Sequence, residues 1–284
     1  MEGIGKVLRI SLIQMKIGMN KLENLTHATS CIRKTVEMDK PKIVALPECF
    51  NSPYGTKYFN EYAETIPDGK TCMTLSDLAK ELNVYLIGGT IPERDNIDNK
   101  LYNTCTIWSP TGDLIAKYRK MHLFDIDIKG GIRFKESEIL SAGDKLAILN
   151  LDGFKIGIGI CYDIRFEELA RIYRNKGCDM LVYPAAFNMT TGPLHWELLQ
   201  RARANDLQVF VATISPARDA TAGYVAWGHS TVVDPWGKIV KKAQEHEEIL
   251  VADLDLDLVQ KVRNQIPVSK QRRLDLYDTI SKFE

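Results

Sequence analysis

Short, wholly apolar runs that stop at a proline are the feature that most constrains the fold of this chain. The runs 43–46 (IVAL) and 180–183 (MLVY) contain no charged residue, and Pro47 and Pro184 follow them directly. Runs of this length are typical of strands buried on both faces of a sheet. Such a sheet must be covered on each side by another layer of secondary structure. We therefore expect a fold of several packed layers.

The rest of the pattern alternates strand-helix-strand units with hairpins. Turn residues at 110–112 (PTG), 152–153 (DG) and 234–237 (DPWG) predict three hairpins. Residues 49–61 are interpreted as a loop and 123–145 as a long irregular segment. Together these units predict an α/β protein with mixed sheets, two of them packed face to face with helices outside each. Helices are predicted over 20–38, 71–82, 167–175, 193–207 and 256–264, and further strands over 7–15, 84–91, 209–214 and 249–254.

The composition is that of an ordinary globular protein, with 45% hydrophobic and 26% charged residues. No linker or repeat divides the 284 residues, so a single domain spanning 1–284 is expected. Lys+Arg and Asp+Glu both number 37, so nucleic acid is not an expected partner. No apolar run approaches ~20 residues and no secretory signal begins the chain, so no membrane partner is expected either. The expected location is the cytoplasm, with a mitochondrial pool left open.

Six cysteines and five histidines are present, but their spacing supports neither a disulfide framework nor a metal site. No two cysteines form a Cys-x-x-Cys pair, and the histidines are scattered along the chain. A zinc site normally shows such paired ligands. We therefore predict no bound metal.

One cysteine stands in a special place. The segment 157–160 (GIGI) delivers Cys161 to the start of a predicted helix. A thiol beside helix-opening N–H groups is expected to ionise more easily. The amide of Tyr162 is placed to hold a developing oxyanion. Cys161 is therefore the candidate nucleophile.

Two further charged residues also follow predicted strands, namely Glu48 and Lys120. Strand ends are where α/β enzymes place reactive groups. A thiol needs a base or a local positive potential to attack at neutral pH. Glu48 would take the proton, and Lys120 would stabilise the oxyanion. A cysteine-histidine pairing stays open at this point, because the sequence also offers His122, His195 and His229.

Three motifs carry a resemblance to a known family. The segments 46–48 (LPE), 118–123 (YRKMHL) and 159–166 (GICYDIRF) resemble, in order, the three catalytic motifs of the nitrilase, or carbon–nitrogen hydrolase, superfamily. The resemblance implies a four-layer α-β-β-α sandwich, usually a homodimer, without metal or organic cofactor. It implies that Cys161 is the nucleophile, Glu48 the general base and Lys120 the oxyanion-stabilising lysine. Glu136 matches an additional glutamate that positions the lysine and the substrate.

Within that superfamily, four other segments resemble the omega-amidases. They are 181–188 (LVYPAAFN), 190–197 (TTGPLHWE), 215–219 (SPARD) and 227–230 (WGHS). Omega-amidases hydrolyse the terminal amide of 2-oxoglutaramate and 2-oxosuccinamate, which gives ammonia and a 2-oxo dicarboxylate. The expected partner is therefore a small amide that bears a carboxylate.

Five residues are predicted to contact that substrate. A carboxylate is well matched by a guanidinium fork, and Arg165 lies four positions after Cys161. Thr191 would add a hydroxyl contact, and Phe187 and Tyr54 would form aromatic walls of the pocket. The fifth residue is Tyr162, which directly follows Cys161.

Three alternatives remain at the level of the sequence. The first is an amidase for another small amide, such as deaminated glutathione or an N-carbamoyl compound. The second is a binding protein of this fold without catalysis, and the third is a thiol redox protein. Intact Glu48, Lys120 and Cys161 argue against the second, and the absence of a Cys-x-x-Cys pair argues against the third.

Overall fold

The computed structural model describes residues 6–129, 133–151 and 153–283. The predicted turn residue Asp152 lies outside these ranges. The described residues form seven α-helices: α1 Lys21–Asp39, α2 Thr56–Tyr62, α3 Lys70–Leu82, α4 Glu167–Asn175, α5 Gly192–Leu207, α6 Asp257–Gln265 and α7 Val268–Gln271. They also form two 3-10 turns, Glu136–Glu138 and Cys161–Arg165.

Fifteen strands are formed by the same residues. In chain order they are β1 Val7–Gln14, β2 Ile43–Ala45, β3 Tyr85–Ile87, β4 Ile91–Arg94, β5 Leu101–Trp108, β6 Leu114–Arg119, β7 Asp125–Asp127, β8 Arg133–Lys135, β9 Ile148–Leu151, β10 Phe154–Ile158, β11 Met180–Pro184, β12 Phe210–Ile214, β13 Thr231–Val233, β14 Ile239–Lys242 and β15 Glu248–Asp255.

The strands form two large mixed sheets, which confirms the predicted sheet type. The seven-stranded sheet has the order β15-β1-β2-β3-β5-β4, with β6 paired to β5, and the six-stranded sheet has the order β14-β13-β12-β11-β10-β9. Strands β1, β2 and β3 are parallel, as are β10, β11 and β12. The hairpin partners β9 and β14 add antiparallel edge strands to the six-stranded sheet, and β15, from the end of the chain, pairs antiparallel with β1 at an edge of the other sheet. Strands β7 and β8 form a separate small ribbon.

The buried strand β2 shows how the layers are built. Ile43 and Ala45 pack in the hydrophobic core that joins the two sheets, whereas Val44 packs in a second core with α1 and α3. Successive side chains of a strand point to opposite faces, so an all-apolar run serves both cores. On the other sheet, α5 packs against β12 and β13, and α4 packs against α5. The four-layer α-β-β-α sandwich is confirmed.

Three local predictions were too coarse. The strand predicted over 84–91 is two strands, β3 and β4, because the chain turns at Gly89, whose φ is +54°. A Cβ there would lie 2.2 Å from the carbonyl oxygen of Pro47. The predicted loop 49–61 contains most of α2, which is anchored by the buried ring of Phe59. The irregular segment 123–145 contains β7, β8 and the turn that carries Glu136.

Two further observations concern the described residues as a group. Across 6–129, 133–151 and 153–283, no helix has both the length and the apolar character needed to cross a membrane. All six cysteines lie in these ranges, and each is a free thiol.

Candidate active site

Three strand ends from the two sheets converge on one buried site. Glu48 follows β2 and Lys120 follows β6 in the seven-stranded sheet, while Cys161 follows β10 in the six-stranded sheet. Glu48 and Lys120 are fully buried, and Cys161 is 4% exposed. The charged run around Lys120 would suggest a solvent-exposed face, but the Lys120 side chain is buried.

The ammonium group of Lys120 bridges two carboxylates. Its Nζ lies 3.1 Å from Glu48 Oε1, and 3.0 and 2.9 Å from Oε1 and Oε2 of Glu136. All three side chains are fully buried. A buried charge requires a partner of opposite sign, and the two carboxylates share this one cation.

The two carboxylates differ in how fully their oxygens are used. Glu136 accepts additional hydrogen bonds from the Tyr54 hydroxyl at 2.7 Å and from the Phe124 N–H at 2.8 Å, so both its oxygens are occupied. Glu48 Oε1 accepts from Asn103 Nδ2 at 2.9 Å. Glu48 Oε2 has no partner of ordinary hydrogen-bond geometry among the described residues. Of the four oxygens, it is the one left to accept a proton.

Burial dominates the acid–base properties of the site. It raises the pKa of Glu48, although the Lys120 ammonium and the neighbouring Cys161 thiol both lower that pKa. Burial likewise raises the pKa of Cys161 well above its ordinary value, and the charge of Glu48 adds to the increase. Lys120 and the N–H of Ala186 oppose it. The expectation that a helix start eases ionisation of Cys161 is wrong, because desolvation outweighs the field of a five-residue 3-10 turn.

Lys120 stays a cation in spite of its burial. Desolvation lowers its pKa, but the charges of Glu136 and Glu48 more than compensate and hold that pKa well above its ordinary value. The site thus combines a fixed positive charge, a neutral thiol and a carboxylate with one free oxygen. Such a group can move a proton from the thiol to the carboxylate as the thiol attacks.

The backbone at Cys161 is sharply bent. Cys161 has a φ of +45°, a conformation that few residues other than glycine adopt. Gly159, two residues earlier, lets the backbone pack closely against Tyr183, since a Cβ at that position would lie 2.4 Å from the Tyr183 ring. The two glycines that marked this segment in the sequence therefore serve the packing of the strand and turn.

A cavity of about 430 Å³ opens beside Glu48. Its volume is that of a small-molecule pocket. Tyr54 lines it as predicted, together with Tyr58, Tyr224 and Asp219, which sequence reasoning missed. The ring of Tyr224 lies 4.5 Å from that of Tyr54. Tyr54, Asp219 and Tyr224 come from irregular segments, where no hydrophobic period marks them, and Tyr58 lies on the short helix α2, within a segment predicted to be a loop.

The other four predicted substrate residues lie outside the cavity lining that the described residues form. The Arg165 guanidinium lies 5.0 Å from the ring centre of Phe187 and 5.6 Å from that of Tyr162. The Thr191 hydroxyl donates to Asn188 Oδ1 at 3.1 Å. Arg165, Phe187 and Tyr162 thus form an aromatic-cationic group beside the Cys161 turn.

The three candidate histidines have partners other than the thiol. His122 Nδ1 lies 2.7 Å from Asp163 Oδ1, His195 Nδ1 lies 3.2 Å from Arg165 Nη1, and His229 Nδ1 lies 3.0 Å from the carbonyl oxygen of Ala243. The side chains that perturb the pKa of Cys161 are instead those of Glu48, Lys120 and Glu136. The geometry therefore favours a carboxylate base over a cysteine-histidine pair.

Comparison with known proteins agrees with this geometry. The omega-amidase of Xenopus tropicalis is 58% identical over 96% of this chain and 98% of its own length. The human omega-amidase is also 58% identical, over 95% of this chain and 96% of its own. A Saccharomyces cerevisiae member of branch 10 of the nitrilase superfamily has a crystal structure with a TM-score of 0.87 and 44% identity, covering 94% of this chain and 97% of that one.

The family model for carbon-nitrogen hydrolases matches residues 9–264, which include all three strand ends of the buried site. The resemblance read from the three motifs is therefore confirmed. This chain belongs to the carbon-nitrogen hydrolase family, the nitrilase superfamily, and is an amide-hydrolysing enzyme.

Proposed function

We propose that this chain is an omega-amidase that releases ammonia from the terminal amide of 2-oxoglutaramate or 2-oxosuccinamate. The observation that carries the proposal is the buried Lys120, held between two carboxylates beside the neutral thiol of Cys161. The high identity to proteins named omega-amidase supports the choice of substrate class.

The proposed reaction has two halves. Cys161 Sγ attacks the amide carbon, the C–S bond forms, and the thiol proton passes to Glu48 Oε2. Lys120 and the amide of Tyr162 stabilise the oxyanion. Glu48 then protonates the leaving nitrogen, the C–N bond breaks, and ammonia departs. In the second half, Glu48 takes a proton from water, which attacks the thioester; the C–S bond then breaks, and Glu48 returns the proton to the sulfur, which restores the thiol and the carboxylate.

The far carboxylate of the substrate requires a cation. The charged side chains in the described cavity lining, Glu48 and Asp219, are both acidic. Arg165 is the residue that we propose for this contact, because its guanidinium is half-buried beside the Cys161 turn and its Nε has no hydrogen-bond partner among the described residues. Phe187, Tyr162, Tyr54 and Thr191 complete the proposed set. Glu136 is proposed to hold Lys120 in place.

Three further expectations belong to the same proposal. The chain acts as a single catalytic domain spanning 1–284, in the cytoplasm, and as a homodimer. Leu194 and Leu198 support the dimer, since they lie one turn apart on α5 and are 68% and 62% exposed. Sedimentation that finds only monomer at micromolar concentration would remove the dimer from the proposal.

Ammonia release from 2-oxoglutaramate tests the activity directly. Wild-type protein is expected to turn over, and Cys161→Ala is expected to lose at least about three orders of magnitude in rate. Mass spectrometry of the wild type after rapid quenching should find an acyl adduct on the peptide that contains Cys161. A disulfide at that position, or normal turnover by Cys161→Ala, contradicts the mechanism.

A second substrate class is favoured by one observation. The cavity of about 430 Å³ has more room than a five-carbon amide needs. Deaminated glutathione and N-carbamoyl compounds are therefore the alternative. Comparison of kcat/KM across the three classes decides between them, and the omega-amidase proposal fails if either alternative is preferred by tenfold or more.

A further inference from the structure

A buried carboxylate outside the lysine cluster joins the two strand ends that carry Lys120 and Cys161. Asp163 is fully buried and lies two residues after Cys161. Its Oδ2 accepts hydrogen bonds from the N–H of Ile160 at 2.9 Å and from the hydroxyl of Tyr118 at 2.7 Å. Ile160 directly precedes Cys161 in the segment that follows β10, and Tyr118 lies on β6, two residues before Lys120, so the two donors come from the sides of different sheets.

The other oxygen of this carboxylate is held by a single residue. Asp163 Oδ1 accepts from the backbone N–H of His122 at 2.9 Å and lies 2.7 Å from His122 Nδ1. Because a carboxylate accepts, the Nδ1–H of His122 is the donor. Tyr118 and His122 stand two residues before and two after Lys120. We call this group the Asp163 brace: Asp163, Tyr118, His122 and the N–H of Ile160.

The ring of His122 packs against an aromatic neighbour and remains partly exposed to solvent. Its ring stacks on Phe166 with 3.6 Å between ring centres and 9° between ring planes. Phe166 directly follows the 3-10 turn that begins at Cys161. The His122 side chain is 32% exposed. The ring therefore contacts the turn at its middle residue, Asp163, through Nδ1, and at Phe166, just after its end, through the face of the ring.

The turn needs such a support. Cys161 has a φ of +45°, and the left-handed region is unfavourable for a residue other than glycine. Surrounding contacts must hold a residue there. The brace supplies them from the Lys120 segment, so the position of the nucleophile is tied to the position of the cation.

We propose that His122 is a positioning residue, which acts through Asp163 to set the distance between Lys120 and Cys161. This proposal rests on the proposed amidase function, because its effect is measured as the kcat of ammonia release. It predicts an effect on kcat rather than on KM, because the brace fixes reacting groups and does not line the cavity that the described residues form. Misplacement of reacting groups by about 1 Å can reduce a rate by about a hundredfold.

Two variants of His122 separate the hydrogen bond from the ring. His122→Phe keeps the stacked ring but removes the donor, and kcat is expected to fall about 10–100-fold with KM unchanged. His122→Asn places an amide N–H near the position of Nδ1, so kcat should recover to within about fivefold of the wild type. Wild-type kcat in His122→Phe overturns the proposal. So does a His122→Asn protein as slow as His122→Phe.

Tyr118→Phe provides a second test if His122→Phe fails to fold. It removes one buried hydroxyl from the brace, and kcat should again fall while KM does not. Tyr102→Phe is the matched control, because Tyr102 is also buried and donates to a carboxylate, that of Asp98, at 2.8 Å. The control should lose stability but keep its kcat. Equal kcat values in the two tyrosine variants overturn the proposal.

Alkylation of Cys161 by iodoacetamide separates this proposal from the proposed function. The second-order rate constant reports on the nucleophile without any amide substrate. It should fall in His122→Phe and recover in His122→Asn. If wild-type protein releases no ammonia but shows this alkylation pattern, the amidase proposal fails and the brace stands. An alkylation rate that is the same in all three proteins overturns the brace.

Discussion

Glu48 and Glu136 form a matched pair whose glutamine variants should behave in opposite ways. Both are fully buried, and both contact Lys120 Nζ at about 3 Å. Each substitution removes one negative charge from the same cluster. We expect Glu136→Gln to destabilise the fold and Glu48→Gln to leave it as stable as the wild type or more so.

The difference follows from the hydrogen-bond partners of the four carboxylate oxygens of Glu48 and Glu136. Every oxygen of Glu136 faces donors: Oε1 faces Tyr54 and Lys120, and Oε2 faces Phe124 and Lys120. A glutamine NH₂ in either orientation meets two of these donors. At about 1–3 kcal/mol for each of the two unsatisfied buried groups, the expected loss is about 2–6 kcal/mol. Glu48 keeps both hydrogen bonds through Oε1, and its Oε2 is free of ordinary partners among the described residues.

The pH dependence of Glu48→Gln has a definite sign. The folded state raises the pKa of Glu48 above its ordinary value near 4.5. As pH rises through 4.5, the unfolded chain therefore releases this proton while the folded chain retains it, and wild-type stability decreases. Glutamine has no such proton. The stability of Glu48→Gln relative to wild type should therefore increase as the pH rises above 4.5.

Urea unfolding at pH 5 and pH 8, followed by circular dichroism, measures both effects. Ammonia release measured alongside should fall about 10²–10⁴-fold in Glu48→Gln, because the proposed general base is lost. Stability and activity then change in opposite directions in one variant. If Glu48→Gln is destabilised as much as Glu136→Gln, the assignment of the free oxygen to Glu48 is refuted.

Two other predictions concern residues around the site. Gly89→Ala should lower the free energy of unfolding by about 2–4 kcal/mol in a urea titration, because the added Cβ would lie 2.2 Å from the carbonyl oxygen of Pro47. Gly153→Ala is the control, because its φ is also positive, at +89°, but nothing lies within 4 Å of the added Cβ. It should lose only about 1 kcal/mol in the same titration. Tyr224→Phe removes a hydroxyl that donates to the carbonyl oxygen of Ala186 at 2.6 Å, and should reduce kcat severalfold in the ammonia assay. Equal losses in the two alanine variants, or an unchanged kcat in Tyr224→Phe, would contradict these assignments.

The layers and the strand ends could be predicted because their signals are local. An apolar run such as β2 must be buried on both faces, and a polar residue just after it must lie at the sheet edge. The chemistry of Glu48 and Cys161 followed from that placement. The motifs then implied the part played by Glu136, which no local pattern in 123–145 indicates.

Burial and loop packing could not be predicted in the same way. Lys120 follows two other basic residues, Lys117 and Arg119, and only the fold shows that Lys120 is fully buried while Lys117 and Arg119 pair with Glu93. The cavity residue Tyr224 lies in an irregular segment without a periodic pattern. Pairings across such segments depend on the whole fold, so a single sequence carries no direct signal for them.

The proton count of the cluster explains why its members act together. Lys120 supplies one positive charge against the carboxylates of Glu48 and Glu136, and the thiol of Cys161 lies beside them. Burial raises the pKa of both Glu48 and Cys161, so the low-dielectric site resists a further negative charge. A proton that moves from the thiol to Glu48 keeps the total charge constant. In the proposed reaction, the new negative charge appears on the substrate oxygen, where Lys120 stabilises it. Lys120→Met would therefore stop both halves of the reaction, because the same cation balances the resting carboxylates and the oxyanion.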